Sequence, residues 1–428
     1  MNDQCVSAAA PEDGASDESP DQPQASGYGQ RGPRRSLEGL LIRTLLNRLG
    51  RPPIRVVLPC GTVVCNSPAP PQITVRIRNR RTLWSLLWQP SIGFGEGYRR
   101  GAIEVDGDLV TLCELVEPTQ GATRGRFWRG VRGSRRRRAA DPQASRDNIH
   151  RHYDLGNDFY RLWLDTQMVY TCAYFPVPSA SLEEAQTAKL DLVCRKMNLQ
   201  PGQCVFEAGC GWGALALHMA RNYGVRVVAW NISREQVAYA QERARVEGLT
   251  DQVRFIEDDW RAMRGRCDAF VSVGMLEHVG PENYREFGRC IDQVLSPNGT
   301  GLIHTIGRDI PERIDGWTER YIFPGAEPPS LGQMMEIFEP CRMVILDVEN
   351  LRLHYALTLE HWLARFEARS AQIQCLFDES FVRAWRLYLA GSLAAFRCAS
   401  LQLFQVVFTR CANNHIPWTR RDAEAGFR

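Results

Sequence analysis

No run in this 428-residue chain approaches the roughly 20 apolar residues that a membrane-spanning helix needs. The opening MNDQCVSAAAPEDGASDESPDQPQ is acidic and polar, so it does not read as a secretory signal. Fourteen cysteines are scattered without a CxxC pair or a Cys/His cluster, and neither a disulfide framework nor a metal site is expected. Net charge is only +3, too little for a polycation, so the position of the charge matters more than its sum. A reduced, cytoplasmic setting is the expectation. What is present is ordinary for a globular chain: 44% hydrophobic and 24% charged residues, over a length sufficient for two or three domains.

Residues 1–35 are rich in Asp, Glu, Ser, Pro and Gln with little to bury, and read as a disordered tail. Residues 36–120 read as a small α+β domain, lipid-binding if its aromatics and Arg99-Arg100 meet headgroups, with ordinary packing an equal reading of the same residues. It has a helix over Ser36–Leu49, strands over Arg55–Val64 and Pro71–Ile77, and a helix beginning at Thr82–Leu87. Residues 121–147 form an arginine-rich linker holding Phe127, Trp128 and the run Arg135–Arg138. That run suits a plain solvated linker, an anionic phospholipid surface or a nucleic acid. A catalytic domain follows over 148–412, and 413–428 form a C-terminal tail.

The chain is organised around Gln203–Ser233. Cys204–Ala208 reads as a strand, Gly209-Cys210-Gly211-Trp212-Gly213 as a turn, Ala214–Tyr223 as a helix and Val225–Trp230 as a parallel strand. Glycines let the backbone turn sharply and approach a ligand, while the next helix offers free N–H groups. The spacing is GxGxG rather than GxGxxG, and Glu207 precedes it. An acid there suits the ammonium of S-adenosylmethionine better than a pyrophosphate. A ligand-free βαβ turn is the bland reading of the same residues. Further strands are expected over Val253–Glu257, Asp268–Met275, Gly299–Ile306, Met343–Val348 and Leu401–Thr409. Helices are expected over Asp158–Leu164, Leu182–Met197, Pro281–Leu295, Leu357–Ser370 and Glu379–Ser400.

HYDLGNDFYRLWLD, YTCAYF, FEAGCGWGALALHMA, VSVGMLEHVG, LIHTIG and RYIFPG, with GFGEGYRRGAIEVDGDL further forward, resemble the cyclopropane-fatty-acyl-phospholipid synthase family in order and approximate spacing. The resemblance runs from about Ile73 to Arg410. It implies a class I methyltransferase fold: a Rossmann-like seven-stranded mixed sheet, helices on both faces, last strand antiparallel. It also implies that S-adenosylmethionine lies against Tyr170, Thr171, Glu207, Gly209, Cys210, Gly211, Gly213, Asn231, Ile232, Gln236, Asp259 and Trp260. Asn231 stands where many nucleotide-binding sheets carry an acid, and Glu207 where the family usually has Asp.

The implied reaction is methyl transfer to a cis double bond of a phospholipid acyl chain, followed by proton loss as a cyclopropane ring closes. Such a site needs a dry channel, stabilisation of positive charge and one base. In the family that base is a bound bicarbonate, and the residues holding it match Cys172, Glu277, His304, Ile306 and Tyr355. Read singly, Cys172 is a small buried hydrophobe, Glu277 a helix cap, His304 a core histidine and Tyr355 packing. The thiol is expected as a pocket contact, because the mechanism forms no covalent enzyme intermediate. A cysteine sometimes proposed as catalytic in the family is Ser392 here. The alternatives are a sibling enzyme making methyl-branched or methylene chains, and a non-catalytic lipid-binding or nucleic-acid-binding module. The intact Cys/Glu/His/Tyr set speaks against a degenerate binding protein, and the match from LGNDFY to IFPG speaks against a nucleic-acid methyltransferase, so no nucleic-acid partner is expected. The expected partners are unsaturated membrane phospholipids, with peripheral contact to the anionic inner face of the membrane and a possible homodimer through the small domain.

Overall fold

The computed structural model describes residues 36–117 and 155–419. The acidic start, the run Arg135–Arg138 with Phe127 and Trp128, and residues 420–428 lie outside the described residues.

The first unit runs α1 (Leu37–Arg48), β1 (Ile54–Val57), β2 (Val63–Val64), β3 (Ile73–Ile77), α2 (Arg80–Trp88), α3 (Pro90–Arg99), β4 (Ile103–Asp106) and α4 (Leu109–Val116). Its sheet has the order β2-β1-β3-β4. The single strand expected over Arg55–Val64 is two, because the chain turns at Gly61 (φ +80°), whose N–H donates to Leu58 O at 2.9 Å. Helix α3 was not expected from a stretch holding Gly93, Gly95 and Gly97. Packing explains it. A Cβ at Gly93 would lie 2.5 Å from the backbone of Leu86 on α2, and one at Gly95 2.2 Å from the Trp317 indole. The glycines let the helix pack at distances that side chains forbid, and this outweighs their low helix propensity.

The second unit continues with α5 (Asn157–Arg161), α6 (Leu182–Lys196), β5 (Cys204–Ala208), α7 (Ala214–Tyr223), β6 (Arg226–Asn231), α8 (Arg234–Val246), β7 (Val253–Glu257) and β8 (Cys267–Val273). Then come α9 (Tyr284–Val294), β9 (Leu295–Gly307), α10 (Gly316–Tyr321), α11 (Leu331–Phe338), β10 (Met343–Asn350), α12 (Arg352–Ala368), α13 (Ser370–Leu376), α14 (Glu379–Arg397) and β11 (Gln402–Arg410). The seven strands have the order β10-β11-β9-β8-β5-β6-β7, and β11 is antiparallel to both neighbours, as expected. Helix α12 begins earlier than its apolar pattern suggested, which places Tyr355 in its first turns. Helix α8 carries a sparse apolar face and was not anticipated.

Alternation along the strands feeds two cores, one on each face. Val205, Ala269 and Val271 pack with α6, α7 and α8, whereas Phe206, Ala208 and Phe270 pack with α9 and α11. A third core joins Phe159–Phe175 to α12 and α14 and takes in Tyr98 and Val110 of the small unit. Arg383 on α14 fastens the two units, donating to Tyr98 O at 2.5 Å and Ile103 O at 3.0 Å with its guanidinium over the Tyr98 ring.

The Trp317 contact predicts that Gly95→Ala lowers stability by about 1–3 kcal/mol, because helix or indole must move. Urea unfolding of the full chain checks this, and an unchanged midpoint would contradict the packing argument.

Candidate active site

Strand β5 ends at the glycine turn. Gly209, Gly211 and Gly213 all have positive φ (+83°, +52° and +84°). A Cβ at Gly209 would lie 2.8 Å from Met275, and one at Gly213 2.7 Å from Phe255. These two positions therefore demand glycine twice over, by conformation and by space. Asn231, at the end of β6, donates from Nδ2 to Gly211 O at 3.2 Å and to Gln236 Oε1 at 2.8 Å. Ile232 follows, half-buried, and the Cys210 thiol is held protonated by burial. After β7, Asp259 Oδ1 accepts from the backbone N–H and the guanidinium of Arg261. Trp260 is buried edge-on against Phe287, with the Arg261 guanidinium 4.1 Å from its ring centroid.

Glu207 is buried at 2% exposure, and its Oε2 has no hydrogen-bond partner. Burial pushes its pKa up to about 8, an effect opposed by the Lys189 ammonium. Lys189 is itself buried and brought down to about 8; it donates to Thr171 Oγ1 at 2.9 Å. Gln186 holds Thr171 O at 2.8 Å, and the Tyr170 hydroxyl meets that of Tyr388 at 2.7 Å. Thr171 sits against Gly274, where a Cβ would lie 2.6 Å from its methyl. Tyr170–Cys172 is thereby fixed over the carboxyl end of the sheet, where ligands of open α/β folds bind.

A second group lies beside it. The turn Leu276–His278 after β8 buries Glu277, whose Oε1 accepts from Ile306 N–H at 2.5 Å while Oε2 has no partner. Burial raises this carboxyl to about 7, near the value that suits proton transfer at neutral pH. His304 Nδ1 meets Gln405 Nε2 at 3.0 Å, its Nε2 has no partner, and burial keeps the ring neutral. Tyr355 packs on Phe396 at 4.4 Å, and its N–H bonds Leu351 O, which also lies 3.9 Å from Cys172 Sγ. Cys172 is fully buried, and burial holds its thiol protonated, as a pocket contact requires. Cys172, Tyr355 and Ile306 share one core.

An aromatic wall runs from the glycine turn to Tyr355. Trp212 of the turn faces Tyr160 at 4.9 Å, Tyr170 faces Trp163 at 5.3 Å and Trp362 at 5.2 Å, and Trp362 faces Tyr355 at 5.9 Å. Ring faces stabilise positive charge where water is excluded. Sequence reasoning missed Lys189, Gln405 and this wall. The wall's signal was the density of aromatics around YRLWL and YTCAYF.

The profile described as mycolic acid cyclopropane synthetase matches residues 140–406. The chain is 38% identical over 356 residues to the cyclopropane-fatty-acyl-phospholipid synthase of Escherichia coli (strain K12), covering 82% of this chain and 91% of that one. It belongs to this family. A probable fatty acid methyltransferase of Pseudomonas putida is 35% identical over 381 residues, covering 86% of this chain and 96% of that one. Among solved structures, mycolic acid cyclopropane synthase CmaA1, complexed with SAH and CTAB, superposes with a TM-score of 0.59 at 32% identity. It covers 62% of this chain and 98% of that one. The fold is that of class I methyltransferases, and the enzyme class is that of the family's cyclopropane synthases.

The buried Glu277 carboxyl yields a signed prediction. Its pKa is raised on folding, so its contribution to stability is fully present below the ordinary carboxylate value and is lost as pH rises through about 7. The stability of wild type relative to Glu277→Gln therefore falls with pH in that window, by up to about 1.4 kcal/mol per pH unit. Paired urea titrations across the range measure it, and a constant difference would contradict the assignment.

Proposed function

We propose that the protein transfers the methyl carbon of S-adenosylmethionine to cis double bonds of phospholipid acyl chains and closes a cyclopropane ring. The observation that carries this reading is the meeting of two buried groups with unused polar atoms, Glu207 beside the glycine turn and Glu277 with His304 at the adjoining strand ends.

The cofactor fits the first group. Glu207 Oε2 would take its ammonium, the glycine turn its carboxylate end, and Asn231 with Gln236 its ribose; Asp259 and Trp260 lie where the adenine would reach. When bound, the cofactor supplies an electrophilic methyl. The second group does the rest. The aromatic wall excludes water and stabilises the positive charge that develops on the alkyl chain. Cys172, Glu277, His304, Ile306 and Tyr355 would hold bicarbonate as the base that removes the ring-closing proton. The methyltransferase name of the Pseudomonas relative favours a second reading, in which the same first step leads to a branched chain.

A membrane surface is the proposed source of substrate. On α2, Trp84 and Trp88 are one turn apart and exposed, Trp88 at 83%, beside exposed Arg78, Arg80 and Arg81. Arg80 pairs with Glu38 of α1 at 3.1 Å, and α1 itself exposes Leu37 and Leu40. Aromatic rings with arginines suit the headgroup layer of an anionic bilayer.

Purified protein with S-adenosylmethionine, bicarbonate and vesicles of cis-monounsaturated phospholipid is expected to add one CH2 unit per double bond, read by mass spectrometry. Saturated lipid is expected to stay unchanged. Glu277→Gln is expected to lower kcat about a hundredfold, and equal turnover of saturated lipid would sink the reading. Trp84→Ser with Trp88→Ser is expected to weaken binding to anionic vesicles about tenfold or more in a flotation assay. Undiminished binding would reject α2 as the contact.

A further inference from the structure

Of the 52 basic Lys and Arg residues in this chain only two are lysine, Lys189 and Lys196. Both are on α6, seven residues apart and so on one face, and both are buried, at 1% and 4% exposure. A chain that uses arginine everywhere else has kept a compact ammonium at two buried places. The ammonium differs from the guanidinium fork in being a small point charge with three rotatable donors.

Lys196 Nζ pairs with Glu349, lies 3.8 Å from Asp347 Oδ2, and donates to Gln405 Oε1 at 2.8 Å. Gln405 is fully buried on β11, directly opposite His304 on β9, and its Nε2 lies 3.0 Å from His304 Nδ1. The order of these contacts leaves one solution. An ammonium can only donate, so the amide oxygen of Gln405 must face Lys196. The amide NH2 must then face His304, so Nδ1 must accept, and the proton of a neutral ring can only be on Nε2. That Nε2 is buried and has no protein partner.

We propose that Lys196 and Gln405 are positioning residues that hold His304 with its ring proton on Nε2, presented as a hydrogen-bond donor to a small oxyanion in the site. The inference rests on the reading of His304 as part of the acceptor site. Burial together with the Lys189 and Lys196 charges keeps the ring from taking a second proton, so the donor remains neutral and does not compete with the base for the proton released on ring closure. An arginine at 196 would bring a planar fork into the space of one ammonium.

The test is the 15N NMR spectrum of full-length protein labelled at histidine, with His304 assigned by its loss in His304→Gln. Protonated and bare ring nitrogens have well-separated shifts. Wild type is expected to show a bare Nδ1 and a protonated Nε2. Gln405→Glu puts an acceptor where the amide donor was, and is expected to move a proton onto Nδ1. It is also expected to lower kcat on unsaturated phospholipid vesicles about tenfold or more while leaving KM for S-adenosylmethionine unchanged. Lys196→Met frees the amide to turn over and is expected to populate Nδ1–H, which provides a second route should Gln405→Glu not fold. A wild-type proton on Nδ1, or a Gln405→Glu spectrum identical to wild type, overturns the proposal. Should wild type leave unsaturated lipid untouched, the proposed function fails, whereas the tautomer result still decides this inference.

Discussion

An ionisable group taken out of water must find a partner or change its protonation, because an unpaired buried charge costs several kcal/mol. At the carboxyl ends of its parallel strands this protein buries Glu207, Glu277, His304 and Lys189 within one region. It resolves the cost by different routes. Lys189 is shared with Thr171, Glu277 takes the Ile306 N–H, and His304 takes Gln405. Each carboxyl still keeps one oxygen unmet, and His304 one nitrogen. Such atoms are tolerated where a ligand completes them, and the rest of the fold can be understood as holding them in place.

The glycines serve that constraint at both ends of the molecule. At Gly209 and Gly213 they bring the turn against Met275 and Phe255, which sets Glu207 at the mouth of the sheet. At Gly93 and Gly95 they let α3 settle on α2 and on Trp317, and so dock the small unit on the catalytic one. The exposed face of α2 is thereby linked to the second unit through packed contacts of α3. Packing through Tyr98, Val110 and Arg383 joins the small unit to the unit that holds the candidate site.

Local pattern made much of this legible. The strand Cys204–Ala208, the helix Ala214–Tyr223 and the strand Val253–Glu257 lie where the sequence places them, because each is a short apolar run bounded by glycine, proline or charge. Helix α3 was hidden because its glycines answer to neighbours distant in sequence, not to helix propensity. Tyr355 was named only through the family resemblance, and its helix starts before the apolar pattern does. The Lys196–Gln405–His304 link was wholly illegible: its members are 209 and 101 residues apart, and only strand register brings them together. Most candidate ligand contacts sit in motifs, whereas the residues packed behind them are recognised only once the sheet is assembled.

Gain of a CH2 unit by a phospholipid has two possible addresses, since a class I methyltransferase can methylate a headgroup amine as readily as an alkene carbon. The acyl chain is the expected address, because Tyr355 of the second group packs against Trp362 and Phe396 in an apolar core that also takes in Cys172 and Ile306. Carbon NMR of phosphatidylethanolamine vesicles after reaction with methyl-13C S-adenosylmethionine tests this most directly. Label is expected in a ring methylene flanked by the former olefinic carbons. Label on the headgroup nitrogen, with the double bonds intact, would contradict it.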